Sequence, residues 1–351
     1  MTTVTSSREL PMYNRVVRRL FGSWDQTQLT FSFGLVLLMA ISPLIIRSPY
    51  YIGVIILASL YAFIGISWNI VAGFTGQLLI AHIIFLGLGG YTTIVLLNNF
   101  GISPWFGILM GGVIAAIAGG IVALITLRYG LKLDYFALFT IALLVAMRTL
   151  FLKWEFVGGA VGMYLRLETP SVAKMIFASK LPYLYISLIL LAAGVIIQYL
   201  IYRSKMGKYF IAIREDEAAA AALGVNTTLY KTLAVMIGTA LAGVGGGFYV
   251  IYVTYIDPTG IYNLGVNAEI VMASPIIGGL GSLIGPLLGA LVNKPIAEII
   301  RANLAEARSG ITLIVYGLFL IASIMFMPRG LAGLIHNVYD RLRTPTHQEE
   351  L

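Results

Sequence analysis

The sequence predicts an all-α polytopic membrane protein of about ten transmembrane or half-transmembrane helices, and three observations predict it. Of its 351 residues, 59% are hydrophobic and only 11% charged, with a mean hydropathy of +0.91. A soluble domain of that size needs far more polar surface. The apolar residues gather into runs at about 29–46, 51–73, 77–97, 104–127, 135–152, 183–202, 232–256, 267–292 and 311–327. All but the last are long enough, or nearly so, to cross roughly 30 Å of hydrocarbon. The basic residues sit in short loops beside these runs, where the positive-inside rule puts them.

In chain order, residues 1–28 read as a cytoplasmic tail. Residues 1–13 read as disordered, and Asn14 to Asp25 place Val17, Leu20, Phe21 and Trp24 on one helical face with Arg15, Arg18 and Arg19 mostly off it. A helix of that kind lies in the membrane surface, and its basic side suits an anionic leaflet. No small-residue cleavage site closes the next run, which reads as a retained anchor.

Residues 29–335 read as the membrane domain. Counted from an inside start, alternate crossings place Arg128 and Lys132 inside, the 153–182 loop outside and the 203–231 loop inside. Nine crossings would strand Arg329, Arg341 and Arg343 outside. Pro275, Gly278, Gly279 and Gly281 break the 267–300 segment, and Pro286 and Pro295 follow. It therefore reads as two pieces, about 268–279 and 283–300, which gives ten and puts both termini, including the 336–351 tail, inside. Broken helices at membrane depth need protein or a water-filled path around them. Gly278, Gly279, Gly281 and Gly285 are thus candidates for a translocation path. Gly281, Gly285 and Gly289, like Gly243 and Gly247, recur at a spacing that lets helices pack closely; a thin helix also leaves room for a solute.

Several chemistries are excluded. With no cysteine there is no disulfide or thiol chemistry, and His82, His336 and His347 are too scattered for a metal cluster. The net charge of +8 follows from membrane topology and does not mark a nucleic-acid partner. Gly207-Lys208 lacks the glycine spacing and hydroxyl residue of a nucleotide-binding loop. The chain reads as a non-enzyme without a cofactor of its own.

One polar stretch interrupts the grease, Arg203 to Asn226. Glu215, Asp216 and Glu217 crowd what reads as the first turn of a short helix, five alanines (Ala218 to Ala222) follow, and Gly224 stands beyond its end. Asn226 or Thr227 can cap the next helix. Arg203, Lys205, Lys208 and Arg214 form a basic half ahead of the acids. The pattern fits a solvated loop or a docking helix for a soluble partner.

Polar residues inside apolar runs are the other candidates. His82 reads as a path or gating group or as a hydrogen-bonded packing histidine. Thr140 fits a bond to its own helix backbone. Glu269 heads the broken pair near an outer boundary, where a solvated carboxylate is the plainer reading. The 153–182 loop, with Gly158, Gly159, Gly162, Arg166, Glu168, Lys174 and Lys180, is a landing surface or a connector.

Six blocks in order resemble the branched-chain amino acid ABC transporter permeases, nearest the M-type (LivM-like) subunit. They are Trp68 to Val71 with Gly73, Gly76, Gln77, His82 and Gly87 to Tyr91; Asp134 to Leu138; Val157 to Gly162; Arg214 to Glu217 through Gly224 to Asn226; Glu269-Ile270 with Gly278 to Pro286; and Pro328 to Leu331. Ile80-Ala81 departs from the family pattern. The resemblance implies an importer of two related permeases, two ABC ATPase subunits that bind the ATP, and an extracytoplasmic solute-binding protein, embedded in inner-membrane lipid. It makes Arg214, Glu215, Asp216, Glu217, Ala218, Ala221 and Gly224 the coupling contact with the ATPase, and the solute a branched-chain amino acid. Urea, short amides or other amino acids are alternatives within the same machine. A proton-coupled secondary transporter using His82, Asp134 and Glu269 is a rival class, and a passive channel a second.

Overall fold

A computed structural model of the chain describes residues 24–129, 133–166, 169–303, 309–327 and 330–335. The described residues are almost entirely helical, and eight helices are long and apolar enough to cross a membrane. The expected surface helix of 14–25 lies mostly outside the described residues. So do Lys132, Glu168, Pro328, Arg329, Arg341, Arg343, His336, His347 and the 336–351 tail.

The long helices are α1 (Trp24–Ile41), α2 (Pro49–Trp68), α3 (Ile83–Phe100), α4 (Pro104–Arg128), α5 (Leu133–Lys153) and α6 (Leu181–Arg203). After two short helices, α7 (Lys205–Glu215) and α8 (Glu217–Ala222), comes the longest, α9 (Thr227–Val253). The short α10 (Pro258–Ile261) precedes a helix made of α11 (Leu264–Asn267), a π segment Ala268–Met272 and α12 (Ala273–Gly278); α13 (Gly285–Asn303) and α14 (Ser309–Phe326) follow. Position 28, placed in the tail by the sequence, belongs to α1 and contributes a buried side chain.

Helices α2 and α9 form the centre because they are apolar or small all round, and α3, α4, α6 and α13 surround them. The outer shell is greasy. Leu109, Val113, Ile117, Ile121 and Leu124 of α4, and Ile314, Leu318, Ile321 and Met325 of α14, are exposed, a surface that suits lipid or the apolar face of a partner subunit. Glycine sets how close α3, α4 and α9 come. A Cβ on Gly89 would lie 2.0 Å from the Gly243 carbonyl oxygen, and one on Gly243 2.6 Å from that of Gly111. Gly243 and Gly247 are packing residues; a Cβ on Gly247 would meet Thr93 and Ile108.

One run is shorter than the sequence predicts. The run at 77–97 reads as a single span, but its helix starts only at Ile83, and Gly76 to His82 run irregularly back into the core. Trp68 Nε1 donates to Leu79 O at 2.9 Å, while Asn267 donates from Nδ2 to Ile80 O and accepts the Ile83 amide on Oδ1 at 3.1 Å. Buried side chains thus do for this backbone what water cannot.

The 267–300 segment is two helices. Arm α11–α12 ends at Gly278, the chain turns through 279–284, and α13 returns antiparallel beside it. A Cβ on Gly289 would lie 1.7 Å from Ser274 O, and Asn293 Nδ2 donates to Glu269 O at 3.1 Å. Gly281 is not on the α13 ridge expected from its spacing with Gly285 and Gly289. It sits in the turn with φ +80°, a conformation that glycine adopts without penalty.

The helix ends sort into two faces. At one lie α7, α8, the end of α2 and the 279–284 turn. At the other, β1 (Met163–Tyr164) from the 153–182 connection pairs antiparallel with β2 (Tyr255–Ile256). There Asn98 Nδ2 donates to Tyr164 O, and Lys180 Nζ to Pro49 O.

Candidate functional site

The polar stretch folds as two helices, not one. Ser204 Oγ accepts the Gly207 amide and starts α7, which anchors itself through the buried Phe210 and Ile213. Glu215 ends α7 and does not open the acidic helix. Asp216 is extended, its Oδ1 accepting the Ala219 amide at 2.9 Å, so it is the N-cap of α8. Glu217 is the first residue of α8 and pairs with Lys231 at the base of α9. Gly224 follows with φ +86°, where a side chain is strained, and Asn226 Oδ1 caps α9 through the Leu229 amide. Ala218 and Ala221 are exposed while Ala220 is buried, and Leu223 at the tip is 86% exposed. A small, smooth face ending in an apolar knob is presented away from the bundle.

Arg214 points the other way. Its Nη1 donates to Gly73 O at 2.7 Å and its Nη2 bonds Glu215 Oε1 at 2.6 Å. Gly73 closes the wide π turn Asn69–Gly73 that ends α2. Asn69, turned inward there, holds the broken pair: its Oδ1 accepts the Gly281 amide at 2.7 Å and its Nδ2 donates to Ser282 O at 2.9 Å. Gln198 of α6 donates to the same Ser282 oxygen at 3.1 Å, and Gln28 of α1 accepts the Leu283 amide at 3.0 Å. Gly279 and Gly281 belong to this turn, and Gly278 and Gly285 close its base, where a Cβ on Gly278 would lie 1.7 Å from Gly285 O. A chain of direct contacts therefore runs from the α7–α8 corner through Arg214, Gly73 and Asn69 to the hairpin turn.

A cavity of about 250 Å³ opens beside that chain, lined by Gly76, Gln77, Phe136, Arg214, Glu217 and Lys231 among others. Gln77 is buried, and its Oε1 has no partner among the described residues.

The remaining candidates lie apart. His82 is fully buried with Nε2 2.9 Å from Ser67 Oγ, in packed protein between α2 and α9. Thr140 is buried and donates to Ala137 O at 2.8 Å, within its own helix. Glu269 sits in the π segment of the descending arm and pairs with Arg301 at 3.2 Å. Asn69 enters the sequence reading only as part of a resemblance block, and Gln198, Asn267, Lys294, Glu298 and Arg301 do not enter it. Their signal is that of Glu269, a polar residue in an apolar run.

Fold and site together define a multi-pass membrane permease with an exposed helical corner. Residues 50–324 match the family described as the permease component of the branched-chain amino acid transport system, and the chain belongs to that family. It is 23% identical over 323 residues to the high-affinity branched-chain amino acid transport system permease protein LivM of Salmonella typhimurium, covering 84% of this chain and 74% of the relative. It is 24% identical over 299 residues to the LivM protein of Escherichia coli, covering 78% and 68%. To the probable branched-chain amino acid transport permease protein LivH of Methanocaldococcus jannaschii it is 26% identical over 274 residues, covering 73% and 82%. No solved structure matches the chain.

Proposed function

We propose that this chain is the membrane-spanning subunit of an ABC importer for branched-chain amino acids, working by alternating access under the drive of separate ATPase subunits. The observation that carries the reading is the Arg214–Gly73–Asn69–Gly281 chain, which ties an exposed helix to a broken helix pair. On this reading the ATPase receives α8 through Glu217, Ala218, Ala221 and the Leu223 tip. Gly224 lets the chain turn sharply behind it, and Asp216 fixes where the helix begins.

Movement of α8 is passed through the Glu217–Lys231 pair to α9 and through Arg214 to the hairpin turn. The helices around the path then rock between two states, each favoured by a differential contact with ATPase or loaded binding protein. Topology follows from charge. The α7–α8 face, with Lys205, Lys208 and Arg214, lies in the cytoplasm with both termini, and the β1–β2 face meets the solute-binding protein outside the inner membrane. A homologous permease completes the path. ATP is bound by the partner ATPases and this chain holds no cofactor.

The test is uptake of labelled leucine and labelled urea into vesicles holding the chain with its genomic neighbours, with and without internal ATP. ATP-dependent leucine uptake is the expected result. ATP-dependent urea uptake alone keeps the mechanism and replaces the solute. Uptake that follows a proton gradient and ignores ATP overturns the reading in favour of a secondary transporter.

A further inference from the structure

Four charged side chains from the two arms of the broken pair meet in one cluster. Lys294, Glu298 and Arg301 stand four and three residues apart on one stripe of α13, and Glu269 faces them from the π segment. Lys294 pairs with Glu298. Arg301 reaches Glu298 Oε1 at 3.3 Å and the two Glu269 oxygens at 3.2 and 3.4 Å. The Lys294 ammonium lies 5.2 Å from the centre of the Tyr61 ring, over its face, and Asn293, bonded by the Tyr316 hydroxyl at 2.8 Å, ties the arms together beneath.

The cluster is graded in depth. At about 1.5 Å per residue, Lys294 lies about 14 Å along α13 from Gly285 and Arg301 about 24 Å. The Lys294 side chain is 2% exposed and that of Arg301 is 55%. The charges therefore run from the middle of the bundle toward the β1–β2 face. A guanidinium facing hydrocarbon is costly, so the open side of Arg301 faces water or a partner. Ile299, two residues away on another side of α13, is exposed and supplies the lipid-facing surface.

We propose that this cluster is a solute site that takes both charged ends of a zwitterionic amino acid on its way through the permease. Resting on the importer reading above, it adds a named site. The solute carboxylate replaces Glu269 on Arg301, and its ammonium takes the vacated Glu269 or Glu298. Two cations and two anions balance in the empty cluster, and a zwitterion preserves that balance. A carboxylic acid anion or an amine cation leaves a net charge in the membrane, and urea offers no charge to exchange for the broken pair.

The experiment is phenylglyoxal labelling of Arg301 in the assembled transporter, read by mass spectrometry of its peptide, in nucleotide-free and vanadate-trapped assemblies. Millimolar leucine is expected to slow labelling severalfold in at least one state, while urea, 4-methylpentanoate and 3-methylbutylamine do not. Lack of labelling in both states, lack of leucine protection, or equal protection by urea overturns the site. A second variant keeps the test independent of labelling chemistry. Arg301→Gln should lose leucine uptake at least severalfold while retaining ATP hydrolysis stimulated by the loaded binding protein; full uptake overturns the proposal. The labelling needs no ATP-driven transport. ATP-driven leucine uptake without protection removes this site alone, and protection without ATP-driven uptake removes the importer reading alone.

Discussion

Arg214 and Gly73 are 141 positions apart in sequence, yet the guanidinium of one donates to the carbonyl of the other at 2.7 Å. The carbonyl belongs to the π turn whose first residue, Asn69, holds the hairpin turn. Gly73 lies in the last turn of the helix that begins as α2 and ends at Thr75, so its carbonyl oxygen has no partner farther along the helix and is free for an outside donor. The exposed corner thus touches the bundle where the backbone already departs from regular helix.

Arg214→Ala removes that link and leaves α8 and its tip intact. A hydrogen bond to a charged group is worth about 1.5–3 kcal/mol, so uptake per ATP hydrolysed should fall by roughly tenfold or more. The measurement is the ratio of leucine uptake to phosphate release in reconstituted vesicles. An unchanged ratio would show that the Arg214–Gly73 contact does not carry the coupling.

Asn69→Ala should weaken the hairpin turn more than Gln198→Ala. Asn69 serves both the Gly281 amide and Ser282 O, whereas the Ser282 oxygen lost by Gln198 keeps Asn69. Leaving a buried amide unsatisfied costs about 1–3 kcal/mol, and the partly buried Gly281 amide falls toward the lower end. Thermal unfolding in detergent micelles should rank the variants in that order, and equal melting temperatures would mean the turn does not depend on Asn69.

Glu217 has two duties that a paired substitution separates. It pairs with Lys231, whose side chain is 13% exposed, and it is itself 52% exposed on the face proposed to meet the ATPase. Glu217→Arg puts two cations together at the base of α9 and reverses the charge offered to the ATPase; ATP-driven uptake should be abolished with the protein still in the membrane. Adding Lys231→Glu restores the pair but not the docking charge, so membrane levels should match wild type while uptake stays lost. Full recovery of uptake in the double variant would reduce Glu217 to an internal strut.

The spans were legible because lipid rewards apolar length regardless of detail, and the division of 267–300 was legible because Gly279 and Gly281, flanked by Pro275 and Pro286, supply the positive φ of a turn. Irregular backbone was harder to see. Leu78, Leu79 and Ile80 are as apolar as any helix, and the loop they form is held by the side chains of Trp68 and Asn267, one of them distant in sequence. The same holds for the turn at 279–284, whose three supporting amides come from α1, α2 and α6. The division of the polar stretch at Asp216 is a local cap, readable in principle from Asp216 and the alanine three residues on. The charged stripe of α13 escapes hydropathy because Lys294, Glu298 and Arg301 end an otherwise apolar run and pass for its boundary.

Two glycine substitutions test whether close helix approach, and not glycine content, builds the bundle. A Cβ on Gly89 would lie 2.0 Å from Gly243 O, against backbone that cannot swing aside, so α3 and α9 must separate to admit it. Overpacking of a tight interface costs about 1–3 kcal/mol, and Gly89→Ala should lower the melting temperature in micelles and reduce assembled protein. Nothing lies within 4 Å of a Cβ at Gly317 on α14. Alanine favours helix over glycine by about 1 kcal/mol, so Gly317→Ala should be neutral or slightly stabilising in the same assay. If both variants melt alike, the contact between α3 and α9 is not the tight seam that Gly89 and Gly243 make it.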